Sequence, residues 1–123
     1  MPDASVKLSF CEIRKLSDDI IEVIIDDGVE VGESEIREYH AFFDMLAHPV
    51  GVLVNRANHY SFSFDAQSKV AMHKNMLAVA VLVLEPSMES MAAFDLSVMQ
   101  YKFPVELFTS RSEALDWLSC HTQ

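Results

Sequence analysis

The sequence predicts an α/β domain, a mixed sheet of about five strands opened by an antiparallel hairpin, with about four helices packed on it. Three observations carry this. Residues 76–84, MLAVAVLVL, are nine apolar residues in a row. A strand with one wet face alternates apolar with polar, so an unbroken run belongs to a strand covered on both faces. Strand-like and helix-like patterns alternate through the rest of the chain, which calls for crossovers and mainly parallel strands. Near the start, two strand-like runs are separated only by a short polar turn, the mark of a hairpin.

Residues 1–5, MPDAS, read as a frayed start. Val6, Leu8 and Phe10 alternate with Lys7, Ser9 and Cys11, giving a strand with one buried face. Residues 15–19, KLSDD, supply a turn, and residues 20–25, IIEVII, resume as a second, more apolar strand. Asp26, Asp27 and Gly28 close it. Gly32 or Ser34 can begin a helix, with Glu33 and Glu35 suited to its positive end. Ile36, Tyr39, His40, Phe43 and Leu46 then recur at helical spacing, largely opposite Arg37, Glu38 and Asp44, until Pro49 stops the helix. Residues 50–54, VGVLV, make a short buried strand, and residues 55–60, NRANHY, leave it as a polar loop.

Residues 61–74 are expected to hold a short second helix, with Ser63 as its cap and Asp65 in its first turn. The 76–84 strand follows, its valines and the Pro86 stop favouring strand over buried helix. Ser87 caps a third helix running to about Tyr101. Residues 103–108, FPVELF, form the last strand, with Pro104 at its start or on a sheet edge. Ser110 and Glu113 have the Ser-x-x-Glu capping-box spacing, and Ala114, Leu115, Trp117 and Leu118 follow as a terminal amphipathic helix.

At 123 residues, one domain spanning 1–123 is expected, long enough to bury a proper core. Nine basic against nineteen acidic residues leave a net charge of −10. Such a surface repels phosphate backbones and anionic headgroups, which argues against nucleic-acid and membrane-surface partners. No basic, apolar, small-residue leader opens the sequence and no run of about 18 apolar residues occurs, so neither a signal peptide nor a membrane span is expected. Cys11 and Cys120 lie near opposite ends and match no metal or redox spacing. Two buried thiols in a reducing cytoplasm are expected rather than a disulfide.

The stretches HPVGVLVNRANHYSFSFDAQSKV, MLAVAVLVLEPSMESMAA and ELFTSRSEALDWL together resemble the small bacterial SpoIIAA-like proteins, whose fold is of the STAS type. The likeness covers nearly the whole chain from Val6 to Leu118. Its most specific piece, the strand followed by SRSEALDWL, is explained in full as a capped helix with a buried Trp. The resemblance implies a sheet of four or five strands with helices against it, and roles in protein partnering. In the anti-sigma-factor antagonists of that type, a serine at the start of the helix after the central strand is phosphorylated, within an Asp-Ser-Ser-Gly-type turn. The corresponding residues here run from Asn58 to Asp65 without a glycine. Ser61 or Ser63 falls at the position, but the motif does not carry over, which places this chain in an outlying group.

Ser63, with Ser61 beside it, is therefore the candidate phospho-acceptor, because a helix N-terminus favours a phosphate. Simple capping is the stronger reading of Ser63, and Asp65 would repel an added phosphate. Asn55, Arg56, Asn58, His59 and Tyr60 form the densest polar group, just past the C-terminal end of a buried strand, where open α/β sheets bind ligands. A small polar ligand is one reading of that loop; satisfaction of its own backbone is the other. No His-x-x-x-His spacing or Cys/His cluster occurs, so no metal is expected. There is no Gly-x-Ser-x-Gly elbow, phosphate loop or dinucleotide fingerprint, and three glycines could hardly build one. No cofactor and no catalytic site are expected.

Met88, Met91, Phe94 and Met99, joined by Leu96, spread around the third helix beyond the roughly 100° stripe that a surface helix buries. They form the candidate interface, since excess apolar area suits a partner chain and methionine adapts to irregular surfaces. Burial on two sides by sheet and neighbouring helix would explain them as well. The expectation is a cytosolic, non-enzymatic interaction or regulatory module that associates with itself or with a protein partner. The alternative is a binder of a small or lipid-like ligand between the helices and the sheet.

Overall fold

A computed structural model describes residues 5–63, 74–85, 93 and 103–122. In chain order these residues form β1 (Ser5–Lys7), β2 (Cys11–Lys15), β3 (Ile20–Ile25), β4 (Glu30–Val31), α1 (Glu33–Asp44), β5 (Val50–Asn55), β6 (Ser61–Phe62), β7 (Met76–Leu82), β8 (Val105–Phe108) and α2 (Arg111–His121). Six strands make one mixed sheet in the order β1-β2-β3-β5-β7-β8. The first three strands pair antiparallel, and β3, β5, β7 and β8 run parallel. β4 and β6 form a separate two-stranded parallel ladder.

The count of elements corrects the sequence-based expectation. The main sheet has six strands rather than about five, and the described residues hold two helices rather than about four. The extra strand arises near the start, where the alternation from Val6 to Cys11 belongs to two strands. Leu8 N–H donates to Cys11 O at 2.8 Å and turns the chain between β1 and β2. The turn shifts the phase, so that Cys11 and Ile13 face the core while Val6 stays 45 % exposed. No glycine, proline or asparagine marks this turn, and alternation continues through it unbroken.

The expected second helix is corrected at its start. Ser61 N–H donates to Val29 O at 3.0 Å and Ser63 N–H to Val31 O at 2.9 Å, so Ser61 and Phe62 extend as strand β6 beside β4. Residues 64–73 and the expected third helix over 87–101, apart from residue 93, lie outside the described residues.

The remaining elements form where local chemistry places them. Glu35 accepts from Gly32 N–H at 2.8 Å, satisfying a donor at the start of α1, and this bond holds the Glu35 carboxyl below the usual carboxylate range. Ile36, Tyr39 and Phe43 are the buried stripe of α1. Each is worth about 1.5–3 kcal/mol of apolar burial. At α2, Ser110 Oγ accepts from Glu113 N–H at 3.4 Å, the cap that the Ser-x-x-Glu spacing foretells.

The two sheet faces carry different residues. One face presents Val23, Val52, Val79 and Val81 to the core that includes α1. The other presents Leu53, Ala78, Ala80 and Leu82 to Ala114 and Leu118 of α2. This second face is small because α2 sits close. A Cβ on Gly51 would lie 2.8 Å from Thr122 Cγ2, nearer than real Cβ atoms approach, and a tight 3.2 Å from Leu118 Cδ2. The run over 76–84 is therefore covered on both faces, as its lack of alternation predicts, with Met76 to Leu82 in the ladder and Leu84 61 % exposed beyond it.

Candidate functional site

Polar side chains gather at the carboxyl ends of the parallel strands, on the face covered by α2. Glu22 lies inside the apolar run of β3 and is 2 % exposed. A carboxylate so placed requires charged or hydrogen-bonding partners. Arg111, the first residue of α2, supplies them bidentately. Its Nη1 donates to Glu22 Oε2 at 2.9 Å and its Nη2 to Oε1 at 2.8 Å. Asn55 Nδ2 at the end of β5 donates to Oε2 at 2.9 Å. The Arg111 guanidinium holds the Glu22 carboxyl below its ordinary range against the opposing effect of burial, and Asn55 assists. Glu22 in turn raises the Arg111 pKa. This is a closed clasp between the central sheet and the start of α2. A carboxyl poised for proton transfer would be shifted upward instead.

The loop after β5 is similarly occupied. Asn58 Nδ2 donates to Ile25 O at 2.9 Å and His59 N–H donates to Asp27 Oδ1 at 2.9 Å. Gly28, at φ +79°, makes the turn that lets its N–H reach His59 O at 2.7 Å. Arg56 is buried, with its guanidinium carbon 4.5 Å from the centre of the Tyr60 ring, in cation–π range. Tyr60 is buried and meets Phe62 edge-on at 5.6 Å. Of the five loop residues singled out from sequence, Asn55 joins the clasp, Asn58 binds backbone, and Arg56 and Tyr60 stack together. Only His59 among them is exposed. The structure brings them to one sheet edge, where these contacts tie β3 and the turn after it to the end of β5.

Ser61 is exposed in β6, and Ser63 follows that strand with its N–H in the ladder to β4. The candidate interface residues Met88, Met91, Phe94 and Met99 lie outside the described residues. Sequence reasoning passed over Glu22 and Arg111. A signal existed, since a lone carboxylate in the apolar run IIEVII must find a cation when that strand is central.

The opposite end of the sheet is apolar and open. Val6, Ile13, Ile21, Phe42, Leu46 and Val50 line a groove of about 370 Å³ between the sheet and the C-terminal end of α1. Lys15, Asp18 and His48 stand among its polar residues. Val6 in its lining is 45 % exposed. A second space, between α1 and the sheet, measures about 50 Å³ and has only apolar lining, including Val23, Tyr39, Val54 and Phe62.

A family model described as a domain of unknown function, DUF7793, matches residues 14–122. The chain belongs to that family. The match contains the whole clasp, Glu22, Asn55 and Arg111, and leaves out β1, which supplies Val6 to the groove. No curated protein matches the chain. Among the described residues no helix is long and apolar enough to cross a membrane, and no three His, Cys, Asp or Glu side chains come together as metal ligands.

Proposed function

We propose that the chain is a non-enzymatic interaction or regulatory module of STAS type that works in the cytoplasm and binds protein partners, itself included. The observation that carries this reading is the open groove at the end of α1, whose apolar wall includes Val6, 45 % exposed. Exposed apolar surface next to a concavity marks a binding site more often than it marks stable solvent-facing structure. At the other end of the sheet the polar groups are engaged with one another, and the pKa of Glu22 is shifted away from that of a catalytic acid.

Self-association belongs to the same proposal and draws on the apolar excess of Met88, Met91, Phe94 and Met99 in the sequence. Sedimentation equilibrium of the full chain tests it. A concentration-dependent rise in mass is the expected result, and a clean monomer at high micromolar concentration removes self-association from the proposal.

The groove's volume favours one further reading, a small or lipid-like ligand. About 370 Å³ falls within the roughly 300–1,000 Å³ of small-molecule sites, whereas the 50 Å³ space behind α1 does not. Native mass spectrometry of the purified chain would show a co-purifying mass if this reading holds.

A further inference from the structure

We infer that the groove docks an apolar side chain carried on a positively charged segment of another protein. The inference rests on the interaction-module reading and names the chemistry of the partner. Shape supplies the first half. Ile13 and Ile21 from the sheet, with Phe42 from α1 and Leu46 just after it, enclose apolar space at one end, and Val6, 45 % exposed, adds to its apolar lining. A single small ligand held at the enclosed end would leave Val6 in water, while a polypeptide segment can fill the groove and cover it.

Charge supplies the second half. The C-terminal end of α1 borders the groove through Phe42, with Leu46 just beyond the helix, and no basic residue occupies its last turn. That end carries the negative pole of the helix. Asp18 stands at the groove with its side chain 89 % exposed, and the neighbouring Lys15 is held against it at 3.3 Å. Over the whole chain the net charge is −10. A fatty acid or other anionic amphiphile meets repulsion from this field, and a second copy brings ten further negative charges. A segment with lysine or arginine around an apolar anchor is drawn in and held.

The test uses the full chain labelled with ¹⁵N and three probes. These are a synthetic peptide with one phenylalanine flanked by lysines, the same peptide flanked by glutamates, and sodium laurate. The lysine peptide is expected to shift the amides of Val6, Ile13, Lys15, Phe42, Leu46 and His48, with affinity that falls as salt is raised. Asp18→Lys, on an exposed side chain whose replacement leaves the core intact, should weaken that peptide about three- to tenfold and strengthen the glutamate peptide. Val6→Ser should weaken the lysine peptide without altering its salt dependence. Equal or tighter binding of the glutamate peptide overturns the inference, as does a lysine-peptide footprint elsewhere on the chain. Laurate shifting these amides more strongly overturns it in favour of the small-ligand reading. Shifts of the same amides with protein concentration alone overturn it while leaving the interaction module standing. If no probe shifts these amides and the chain is a clean monomer, the inference and the module reading fail together.

Discussion

Removing the cation from the Glu22 clasp should cost more than removing the clasp altogether. In Arg111→Ala, Glu22, 2 % exposed in the parent, keeps its bond from Asn55 but loses both charged donors, at 2.8 and 2.9 Å. Leaving one partner of a buried pair uncompensated costs about 3–5 kcal/mol. The Arg111 side chain is 42 % exposed, so water can reach the vacated position and part of that cost is recovered. We therefore expect a loss of about 2–3 kcal/mol, equivalent to a Tm lower by roughly 10 °C for a domain of this size. Urea unfolding followed by the fluorescence of Trp117, the only tryptophan, measures it.

The pH dependence gives a second readout of the same clasp. The folded-state pKa of Glu22 lies below its ordinary 4.5, so its contribution is present above about pH 4.5 and is lost as pH falls through the lower folded value. In Arg111→Ala, burial outweighs the single bond from Asn55, and that part of the acid limb should vanish. The double variant Glu22→Leu with Arg111→Leu should return to within about 1 kcal/mol of the parent, since no buried charge is left. A loss below about 0.5 kcal/mol in Arg111→Ala with an unchanged acid limb would refute the assignment of the clasp as a structural lock.

Other outcomes follow from distances in the same structure. Gly51→Ala should destabilise by about 1–3 kcal/mol in urea unfolding, because the new Cβ meets Thr122 Cγ2 at 2.8 Å, and Thr122→Ser in the same chain should recover part of the loss. Cys11 is buried and its pKa is pushed up to about 12, mainly by burial, while Cys120 is exposed. Iodoacetamide at about pH 8 should therefore add one label to the folded chain and two in denaturant, read by mass. Asn58→Ala should cost about 1 kcal/mol through the unsatisfied Ile25 carbonyl, whereas His59→Ala should stay within about 0.5 kcal/mol. Equal losses at the two positions would show that the loop is not held by Asn58.

Helix α1, strands β3, β5, β7 and β8, and helix α2 were legible because each rests on neighbours in sequence. The stripe Ile36, Tyr39 and Phe43 is a helical period, the unbroken run in β7 is a two-faced strand, and Ser110 with Glu113 is a cap. The turn at residues 8–10 was not legible, since Ser9 alone carries weak turn chemistry and alternation passes through it. Strand β6 was missed for a related reason. Ser61 and Phe62 extend because the backbone of β4, some thirty residues earlier, accepts them. The loop's polar residues were seen, but not that Asp27, Ile25 and Glu22 would engage three of them.

The sequence by itself determined the class of the fold, the buried faces of its principal helices and the acidic field around the chain. Those follow from period, local capping and charge, which need no knowledge of what lies across the core. Only the tertiary structure decided that Glu22 meets Arg111, 89 positions away, and that the groove at the end of α1 stays open. A pair of that kind depends on the strand order, which brings the start of α2 over β3, and on the small residues Gly51, Ala78 and Ala80 that let α2 settle there. Local patterns carry no record of such an approach, because its energy belongs to residues that become neighbours only when the sheet has formed.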